Sequence, residues 1–419
     1  MDYVIEGART VDGRVGDLFV ERGHLVDTAP LGATRIAADG LLVLPGLVDL
    51  HTHLREPGRE DAETVESGTR AAARGGYTAV HAMANTDPVT DTAERARHVA
   101  ALGVRTGHAQ VIPVGAVTVG LEGRELSAMD AMASEVGVRV FSDDGRCVMD
   151  AALMRRALQT VRRFDGVVAQ HSQDANLATG TACCHEGTMS AELGLEGWPS
   201  VAESVIIARD VELAAATGGR LHVCHISTAE GVEVVRWAKS RGIDVTAEAT
   251  PHHLYLDHTR LRGLDTTFKV NPPLSTPDDI EAVRAALADG TIDIVGTDHA
   301  PHAASDKSPA FPLAKPGMIG LEQALAVVID VMVAPGRLDW AGVARVLSSR
   351  PAHLGRLAGQ GQPVAVGSVA NLVLVDPSSR AVVDREESAS ISRNNPYHGS
   401  DLPDPVVATM WAGRLTYQR

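Results

Sequence analysis

Short apolar runs alternate with helix-like stretches from residue 41 to about residue 360, and this alternation limits the fold more than any other feature of the chain. Eight runs have the pattern of buried strands, at 47–50, 78–82, 109–114, 138–141, 167–170, 221–224, 244–247 and 292–296. The intervening stretches, such as 64–74, 92–102 and 202–217, have the length and composition of helices. Eight buried strands alternating with helices predict an α/β fold, a (β/α)8 TIM-like barrel over residues 45–361. A doubly wound open sheet is the alternative, although no glycine-rich dinucleotide motif follows any strand.

The two ends of the chain have a different pattern. Residues 1–44 contain short β-like runs at 3–6, 11–13 and 17–20, and residues 362–419 contain further runs at 368–375, 381–383, 406–411 and 414–417. Glycines and other turn residues interrupt these runs. The simplest interpretation is that both ends together form a small β-sandwich domain beside the barrel.

The composition argues against several classes of protein. A net charge of −15 offers no general attraction to nucleic acid or to an anionic membrane. No apolar run reaches the roughly 20 residues that a membrane span needs, and the first residues lack the regions of a signal peptide. Four cysteines in 419 residues do not form a disulfide framework, so a cytoplasmic location is expected. Cys183 and Cys184 are interpreted as free thiols, with a redox or metal pair as the alternative.

Two histidines follow the first predicted barrel strand, one residue apart. On a β-strand this spacing directs the imidazoles of His51 and His53 to the same face. Two neutral imidazoles that converge on one point are typical ligands of a divalent metal such as zinc. A pair of hydrogen-bonded histidines at a strand end is the alternative.

Four further strands end in residues of the same chemical kind, namely Asp143, His171, His225 and Asp298. Taken singly, each has an ordinary explanation, as a turn residue, a structural histidine or a helix cap. The carboxyl ends of barrel strands carry the active site, however, so these side chains are expected to converge with the histidine pair. Six ligands are too many for one tetrahedral zinc ion, but they suit two metal ions that share a hydroxide.

Motifs spread over nearly the whole chain carry a family resemblance. They are PGLVDLHTHLR at 45–55, HLREPG at 53–58, MANT at 83–86, FSDDG at 141–145, TPHHL at 250–254, KVNPPL at 269–274, GTDHAPH at 296–302 and RNNP at 393–396. The first of these resembles the amidohydrolase superfamily. The combination resembles one of its families, the class I dihydroorotases.

The resemblance implies a dinuclear zinc site. The first ion would be held by His51, His53 and Asp298, the second by His171 and His225, and Asp143 would bridge the two together with a hydroxide. Many relatives bridge with a carboxylated lysine, but none of the four lysines of this chain lies at the end of the fourth strand. An aspartate bridge is therefore required, and Asp143 is preferred to Asp144 because it is nearer to the strand end.

The resemblance also implies the reversible cyclisation of N-carbamoyl-L-aspartate to L-dihydroorotate in pyrimidine (UMP) biosynthesis. Asp298 would act as general base and then as general acid. Arg55 is placed to bind the free carboxylate of the substrate bidentately, with a surface salt bridge as the alternative. The other implied substrate contacts are His53, Asn85, Asn271, His302, Pro316 and Gly317. Residues 301–316 are predicted to form a mobile loop that closes over the substrate, and His252 and His253 are predicted to be structural.

Two other functions stay open at the level of sequence. An allantoinase or dihydropyrimidinase would act on other cyclic ureides, but those relatives generally use the absent lysine bridge. A non-catalytic dihydroorotase-like partner of aspartate transcarbamoylase would lack metal-site histidines, and here all of them are present. The expected partners are a small substrate with a carboxylate and other copies of the chain in a homo-oligomer, without nucleic acid or membrane. Association with aspartate transcarbamoylase is left open.

Overall fold

The computed structural model describes all 419 residues. Its strands in chain order are β1 (Tyr3–Thr10), β2 (Val15–Glu21), β3 (His24–Val26), β4 (Thr34–Ala37), β5 (Leu42–Pro45), β6 (Leu47–Thr52), β7 (Tyr77–Ala82), β8 (Gln110–Pro113), β9 (Val140–Phe141), β10 (Val167–Gln170), β11 (Cys184–His185), β12 (Gly197–Trp198), β13 (Arg220–Val223), β14 (Val245–Ala249), β15 (Ile294–Val295), β16 (Leu372–Val375), β17 (Arg380–Val382), β18 (Asp401–Pro403), β19 (Val406–Trp411) and β20 (Arg414–Gln418).

The α-helices are α1 (Val65–Arg74), α2 (Ala93–Thr106), α3 (Met129–Ala131), α4 (Ala151–Arg162), α5 (Thr188–Leu193), α6 (Val201–Thr217), α7 (Ala229–Ser240), α8 (Pro251–Tyr255), α9 (Pro277–Asp289), α10 (Ala304–Lys307), α11 (Ala324–Val328), α12 (Trp340–Ala344) and α13 (Arg350–Leu354). Short 3-10 segments span Val119–Leu121, His258–Gly263, Thr266–Phe268 and Arg385–Glu387, and π-helical turns span Met132–Val136, Ile329–Val333 and Arg345–Ser349.

Eight parallel strands form the central part of the molecule. They pair in the orders β6-β7-β8 and β15-β14-β13-β10-β9. Parallel bridges between Gly115 and Phe141 and between Thr52 and His299 join the edges of the two sheets, so the pairing passes through all eight strands and returns to β6. Each of the eight predicted strands overlaps one of these, and the α/β class is confirmed. The order of pairing is the one expected for a (β/α)8 barrel.

The helices between these strands begin where the sequence supplies a capping side chain. Before α1, the Thr64 hydroxyl accepts a hydrogen bond from Ser67 N at 3.1 Å, and the Ser67 hydroxyl accepts one from Thr64 N at 3.0 Å. Before α9, Thr276 and Asp279 form the same reciprocal pair, and Pro277 occupies the first turn. Because such caps satisfy backbone donors that a helix leaves unpaired, they fix where each helix starts.

The two chain ends meet in one mixed sheet. Its order is β20-β19-β16-β5-β1-β2-β3, and β4 pairs with β1. The run at 11–13, predicted as a strand, is instead the turn of the β1–β2 hairpin, because Gly13 adopts φ 85° there and its N–H bonds to the Thr10 carbonyl. The arrangement of the terminal strands as a two-layered sandwich stays a prediction.

The terminal sheet packs a different set of side chains on each face. In β16, Leu372 and Leu374 join a core of 14 buried residues within the sheet, whereas Val373 and Val375 join the large core shared with the barrel helices. This alternation follows from the period of two along a strand. The division of the chain at residues 44/45 and 361/362 stays a prediction. None of the helices combines the length and the apolar composition that crossing a membrane would need.

Candidate active site

Four histidines from three strand ends lie side by side at one end of the parallel ring. The ring centroids of His51 and His53 are 5.5 Å apart, those of His51 and His225 are 5.3 Å apart, and those of His171 and His225 are 4.7 Å apart. All four side chains are buried. The carboxyl ends of β6, β10 and β13 therefore bring together imidazoles that are up to 174 residues apart in sequence (225 − 51).

The Asp144 carboxylate lies between these imidazoles. Its Oδ1 is 3.3 Å from the Nε2 atoms of both His51 and His225 and 3.6 Å from His171 Nδ1. Its Oδ2 is 3.2 Å from His53 Nε2. Asp144 thus lies between all four imidazoles, with Oδ1 towards His51, His171 and His225 and Oδ2 towards His53, and this central position is the one that a bridging carboxylate needs.

Asp143, the predicted bridge, points elsewhere. Its Oδ1 accepts hydrogen bonds from the backbone N–H groups of Val117 (2.8 Å) and Thr118 (3.0 Å), and its Oδ2 accepts one from the Thr118 hydroxyl. This placement corrects the choice of Asp143 over Asp144. In β9, Val140 packs in the ring interior and Phe141 in the outer core. Because side chains alternate along an extended chain, residue 144 shares the inner side with Val140 and residue 143 does not.

Asp298 completes the cluster after β15. Its Oδ1 is 3.2 Å from His53 Nε2 and 3.5 Å from His51 Nε2. Asp298 has φ 45° and His225 has φ 31°, so two members of the cluster lie in the left-handed region. Non-glycine residues tolerate this conformation only where their surroundings impose it, and such residues concentrate at functional sites.

The cluster has the chemistry and the spacing of a metal centre. Ligands at about 2.0–2.2 Å from a tetrahedral zinc ion are about 3.3–3.6 Å from one another, which matches the separations of 3.2–3.6 Å around Asp144 and Asp298. The ligand atoms of His51, His53 and Asp298, and those of His51, Asp144 and His225, lie within 4.8 Å of one another. His51 Nε2 is buried among these carboxylates without a hydrogen-bond partner. The residues therefore fit bound metal.

Glu248 orients His51 from behind. Its Oε1 is 2.5 Å from His51 Nδ1, and its Oε2 is 3.1 Å from His222 Nε2. A carboxylate that accepts from Nδ1 leaves the Nε2 lone pair free to face the centre, and it raises the basicity of the ring. Sequence reasoning missed this residue. The available signal was a charged side chain inside the buried, otherwise mostly apolar strand β14.

Two of the other three imidazoles are oriented in the same manner. His171 Nε2 lies 2.9 Å from Gln173 Oε1, which leaves Nδ1 facing Asp144. His53 Nδ1 lies 2.9 Å from Asn85 Oδ1, which leaves Nε2 facing the two carboxylates. Asn85 was predicted only as a substrate contact, and Gln173 was not predicted at all. His51, His53 and His171 are thus each held by a hydrogen bond on the side away from the cluster, whereas His225 Nδ1 has no hydrogen-bond partner.

The carboxylates and imidazoles of the cluster stabilise each other's charged forms. Burial would favour a neutral Asp144, but His51 and hydrogen bonds from His171 and His225 hold its pKa well below the usual value. Burial opposes ionisation of Asp298 as well, but its hydrogen bond to His53 and the nearby His51 bring its pKa to about 2. Burial alone would lower the pKa of His51, yet Asp144 and Glu248 raise it well above the usual value. Ionised carboxylates therefore attract either protons or metal cations to these imidazoles.

A cavity of about 160 Å³ opens onto this cluster. All predicted substrate contacts line it together with the cluster itself. The lining residues are His53, Arg55, Asn85, Asp144, Gly145, His171, His225, Val270, Asn271, Asp298, Ala300, His302, Pro316 and Gly317.

Arg55 brings an unpaired positive charge to the cavity. Its guanidinium has no carboxylate within ion-pair distance, although Asp298 and Asp144 are near enough to favour its charged form, and its Nε donates to the Pro301 carbonyl at 3.0 Å. Burial lowers the pKa of Arg55 to about 10, so the group stays cationic at neutral pH. A surface salt bridge is not formed. The arrangement leaves the cation available to an anion in the cavity.

Two further segments of the cavity lining are in contact with each other. The His302 ring donates from Nε2 to the Pro316 carbonyl at 2.8 Å, and burial lowers its pKa to about 3. Gly317 has φ 145°, and a Cβ atom there would lie 2.7 Å from His302 Nε2, so only glycine fits. Asn271 Oδ1 is buried without a hydrogen-bond partner. It is therefore free to accept a hydrogen bond from a ligand.

The predicted loop at 301–316 contains the short helix α10 and is anchored by Lys307. The Lys307 ammonium donates to the carbonyls of Thr266 (2.9 Å), Lys269 (3.2 Å) and Lys315 (2.8 Å). Mobility of this loop stays a prediction.

His252 and His253 are not part of the cluster or of the cavity lining. His252 Nδ1 bonds to the Tyr397 hydroxyl at 2.9 Å, and His253 bonds to the Thr250 hydroxyl (2.8 Å) and the Pro272 carbonyl (3.0 Å). Both histidines thus have structural contacts.

The whole chain is similar to curated proteins. It is 56% identical over 419 residues to the dihydroorotase of Streptomyces coelicolor, an alignment that covers 99% of this chain and 97% of that protein. It is 50% identical over 423 residues to the dihydroorotase of Mycobacterium tuberculosis, covering 99% of this chain and 98% of the relative. This chain belongs to the dihydroorotase family. The family model described as "Dihydro-orotase-like" matches residues 40–231 of this dihydroorotase-family chain, which include the histidine pair, Asp144 and His171.

Solved structures of hydantoinases have the same fold as this member of the dihydroorotase family. The L-hydantoinase (dihydropyrimidinase) from Arthrobacter aurescens superposes with a TM-score of 0.87 at 24% identity, covering 100% of this chain and 96% of that one. The D-hydantoinase (dihydropyrimidinase) from a Thermus species superposes with a TM-score of 0.85 at 24% identity, covering 99% and 95%. The likeness is one of α/β architecture.

Proposed function

We propose that this chain interconverts N-carbamoyl-L-aspartate and L-dihydroorotate in pyrimidine biosynthesis, on a (β/α)8 barrel. Membership of the dihydroorotase family supports the reaction. The observation that carries the proposal is the cavity, in which a metal-ligand cluster and the unpaired Arg55 cation face the same 160 Å³. Dihydroorotate needs both, because it carries a cyclic amide to be opened and a free carboxylate to be bound.

We propose that the cluster holds two zinc ions. His51, His53 and Asp298 would hold one ion, and His171 and His225 the other, with Asp144 between them. When bound, the ions supply an activated water and polarise the amide carbonyl. The central position of Asp144 supports a dinuclear site, because its carboxylate lies within 3.6 Å of His51 and His53, assigned to one ion, and of His171 and His225, assigned to the other.

Asp298 moves the proton in this proposal. Its carboxylate is ionised because its pKa is held at about 2, so it can accept a proton from the attacking water. The same group then donates that proton to the ring nitrogen as the amide C–N bond breaks. In the direction of ring closure the order reverses, and the carboxylate takes the proton from the carbamoyl nitrogen.

The remaining cavity residues bind and orient the substrate. Arg55 pairs with the free carboxylate, which would otherwise be costly to desolvate. Asn271 Oδ1, buried and unpartnered, accepts a ring N–H. Asn85 Nδ2 has only a long contact of 3.4 Å to the Asp144 carbonyl and can turn towards the ligand. An uncharged ring, as an allantoinase or dihydropyrimidinase would take, leaves Arg55 unpaired.

The test is a comparison of substrates on metal-loaded protein. Zinc content is measured by elemental analysis, and ring opening by the loss of ultraviolet absorbance of L-dihydroorotate, with allantoin and dihydrouracil as competitors. We expect rapid turnover of L-dihydroorotate only. Faster opening of allantoin or dihydrouracil would contradict the proposal, and a protein that binds no metal would favour the non-catalytic alternative. Homo-oligomer formation, association with aspartate transcarbamoylase and cytoplasmic location stay predictions.

A further inference from the structure

A segment from the C-terminal part of the chain packs against residues that line the cavity. This strap, defined here as residues 390–395, is tied to the barrel by several hydrogen bonds. The backbone N–H of Ile391 donates to Glu63 Oε1 at 3.1 Å, the Ser392 hydroxyl donates to the Ala62 carbonyl at 2.7 Å, and the Ile319 N–H donates to the Asn394 carbonyl at 3.1 Å. The strap is therefore fixed just before Asn394 and at Asn394 itself.

The Asn394 side chain makes three hydrogen bonds to the cavity wall, with both of its N–H donors and with its oxygen. Its Nδ2 donates to the carbonyls of Ala300 at 2.9 Å and Gly317 at 3.0 Å, and its Oδ1 accepts from the His302 N–H at 3.2 Å. The residue is only 4% exposed. Because only the amide nitrogen can donate, these contacts fix the orientation of the amide, with Nδ2 towards the two carbonyls and Oδ1 towards the N–H.

The three residues that Asn394 holds all line the substrate cavity. Residues 300–302 and 316–318 run side by side, and Asn394 joins them by donating to one carbonyl in each. Pro301, in the first of these segments, supplies the carbonyl that accepts from Arg55 Nε. The position of the Arg55 guanidinium and of the His302 ring therefore depends on this amide.

We infer that Asn394 is a positioning residue for substrate binding, which holds the wall that orients Arg55 and His302 towards the substrate carboxylate. It touches neither the metal-ligand cluster nor the cavity itself. Its effect is on the affinity for the carboxylate-bearing ring rather than on the chemical step. The inference rests on the proposed function.

Asn394→Asp isolates the donor role. The variant keeps the volume and the oxygen that faces the His302 N–H, but it replaces the donating amide by an oxygen directed at two carbonyls. At about pH 8 we expect KM for L-dihydroorotate to rise about tenfold or more relative to the wild type, with kcat within about threefold. Zinc content should be unchanged. Burial beside two carbonyls favours the protonated carboxyl, which can donate again, so the KM ratio of variant to wild type should fall at about pH 6.

The neighbouring asparagine offers a matched control. Asn395 Nδ2 donates to Gln323 Oε1 at 3.1 Å and its Oδ1 accepts from the Tyr397 N–H at 3.0 Å, away from the cavity wall. Asn395→Asp should leave KM within about twofold of the wild type at both pH values. Asn394→Ser, which does not titrate, should raise KM by a ratio that is the same at both pH values.

A second readout does not depend on turnover. L-Dihydroorotate should raise the unfolding temperature of the wild type and of Asn395→Asp more than that of Asn394→Asp. A KM for Asn394→Asp equal to that of the wild type or of Asn395→Asp would overturn the inference. So would an equal loss of kcat and zinc, or a failure of both Asn394 variants to fold, since either result would make Asn394 part of the general framework. An inactive, metal-loaded wild type would reject the proposed function instead.

Discussion

The metal-ligand cluster and the wall formed by residues 300–302 and 316–317 line the same cavity, yet their electrostatics are opposite. In the cluster, Asp144 and Asp298 are ionised, and carboxylates raise the pKa of His51. In the wall, burial and the nearby Arg55 and Lys307 cations lower the pKa of His302 to about 3, although the Asp306 carboxylate lies 3.3 Å from its Nδ1. The first side attracts cations and the second attracts an anion. A substrate with a reacting amide at one end and a carboxylate at the other matches this polarity.

The two sides are also held differently. The cluster side chains sit on strand ends and are oriented by charged or amide partners such as Glu248. The wall is held by neutral hydrogen bonds from Asn394 and by the Lys307 ammonium. A change in the cluster should therefore remove metal and activity together, whereas a change in the wall should weaken substrate binding and leave metal in place.

The largest effect is expected from Asp144→Ala. Removing the carboxylate that faces all four imidazoles should strip zinc and lower kcat/KM by about a thousandfold or more. Elemental analysis with the dihydroorotate assay measures both. Asp143→Ala is the matched control: it should retain zinc, because that carboxylate binds only Val117 and Thr118. The reverse pattern, with zinc lost only from the Asp143 variant, would restore Asp143 as the bridge.

Arg55→Ala tests the anion-binding side. We expect kcat/KM to fall about 30- to 1000-fold, since a buried charge pair with the substrate is lost, while zinc content is unchanged. Arg59→Ala is the control, because that guanidinium is already paired with Asp61 and Asp306. Normal kinetics in the Arg55 variant would remove this residue from the binding site.

Glu248→Gln tests how far the cluster depends on its surroundings. The variant keeps the shape but removes the charge behind His51, so zinc affinity should fall about 10- to 100-fold. Competition with a chelator measures the dissociation constant. Unchanged affinity would mean that Glu248 serves the packing of β14 alone.

The smallest expected effect is on the folding stability of the chain at acidic pH, to which His302 in the wall contributes. His302 is neutral in the folded chain down to a pKa of about 3, whereas an unfolded histidine gains a proton below about pH 6.5. The unfolded state thus binds more protons as the pH falls, and folding stability decreases between about pH 6.5 and pH 3. His302→Gln should reduce the loss between about pH 7 and pH 5 by about 1–2 kcal/mol, measured by urea unfolding. If the variant loses as much folding stability as the wild type, the loss arises from other buried histidines.

Much of the architecture was predictable because it is local. The parallel strands and their helices follow from apolar runs and capping residues, and His51 and His53 converge because extended chain repeats every two residues. The same period, counted from Val140 on the inner face, would have selected Asp144 over Asp143. The hairpin turn at Gly13 was likewise readable from its Asp-Gly pair.

What the sequence determined by itself was the set of strand ends and the kinds of side chain that they carry. Only the tertiary structure decided which partners face those side chains across the fold. Glu248 contacts His51 although the two are 197 residues apart in sequence. The Asn394 amide bonds to Ala300 and Gly317, which lie in other segments of the chain. The absence of an ion pair at Arg55 likewise depends on which groups the other segments place beside it. A local pattern determines to which side of a strand each side chain points. Contacts between distant segments depend instead on how the closed ring brings those segments together.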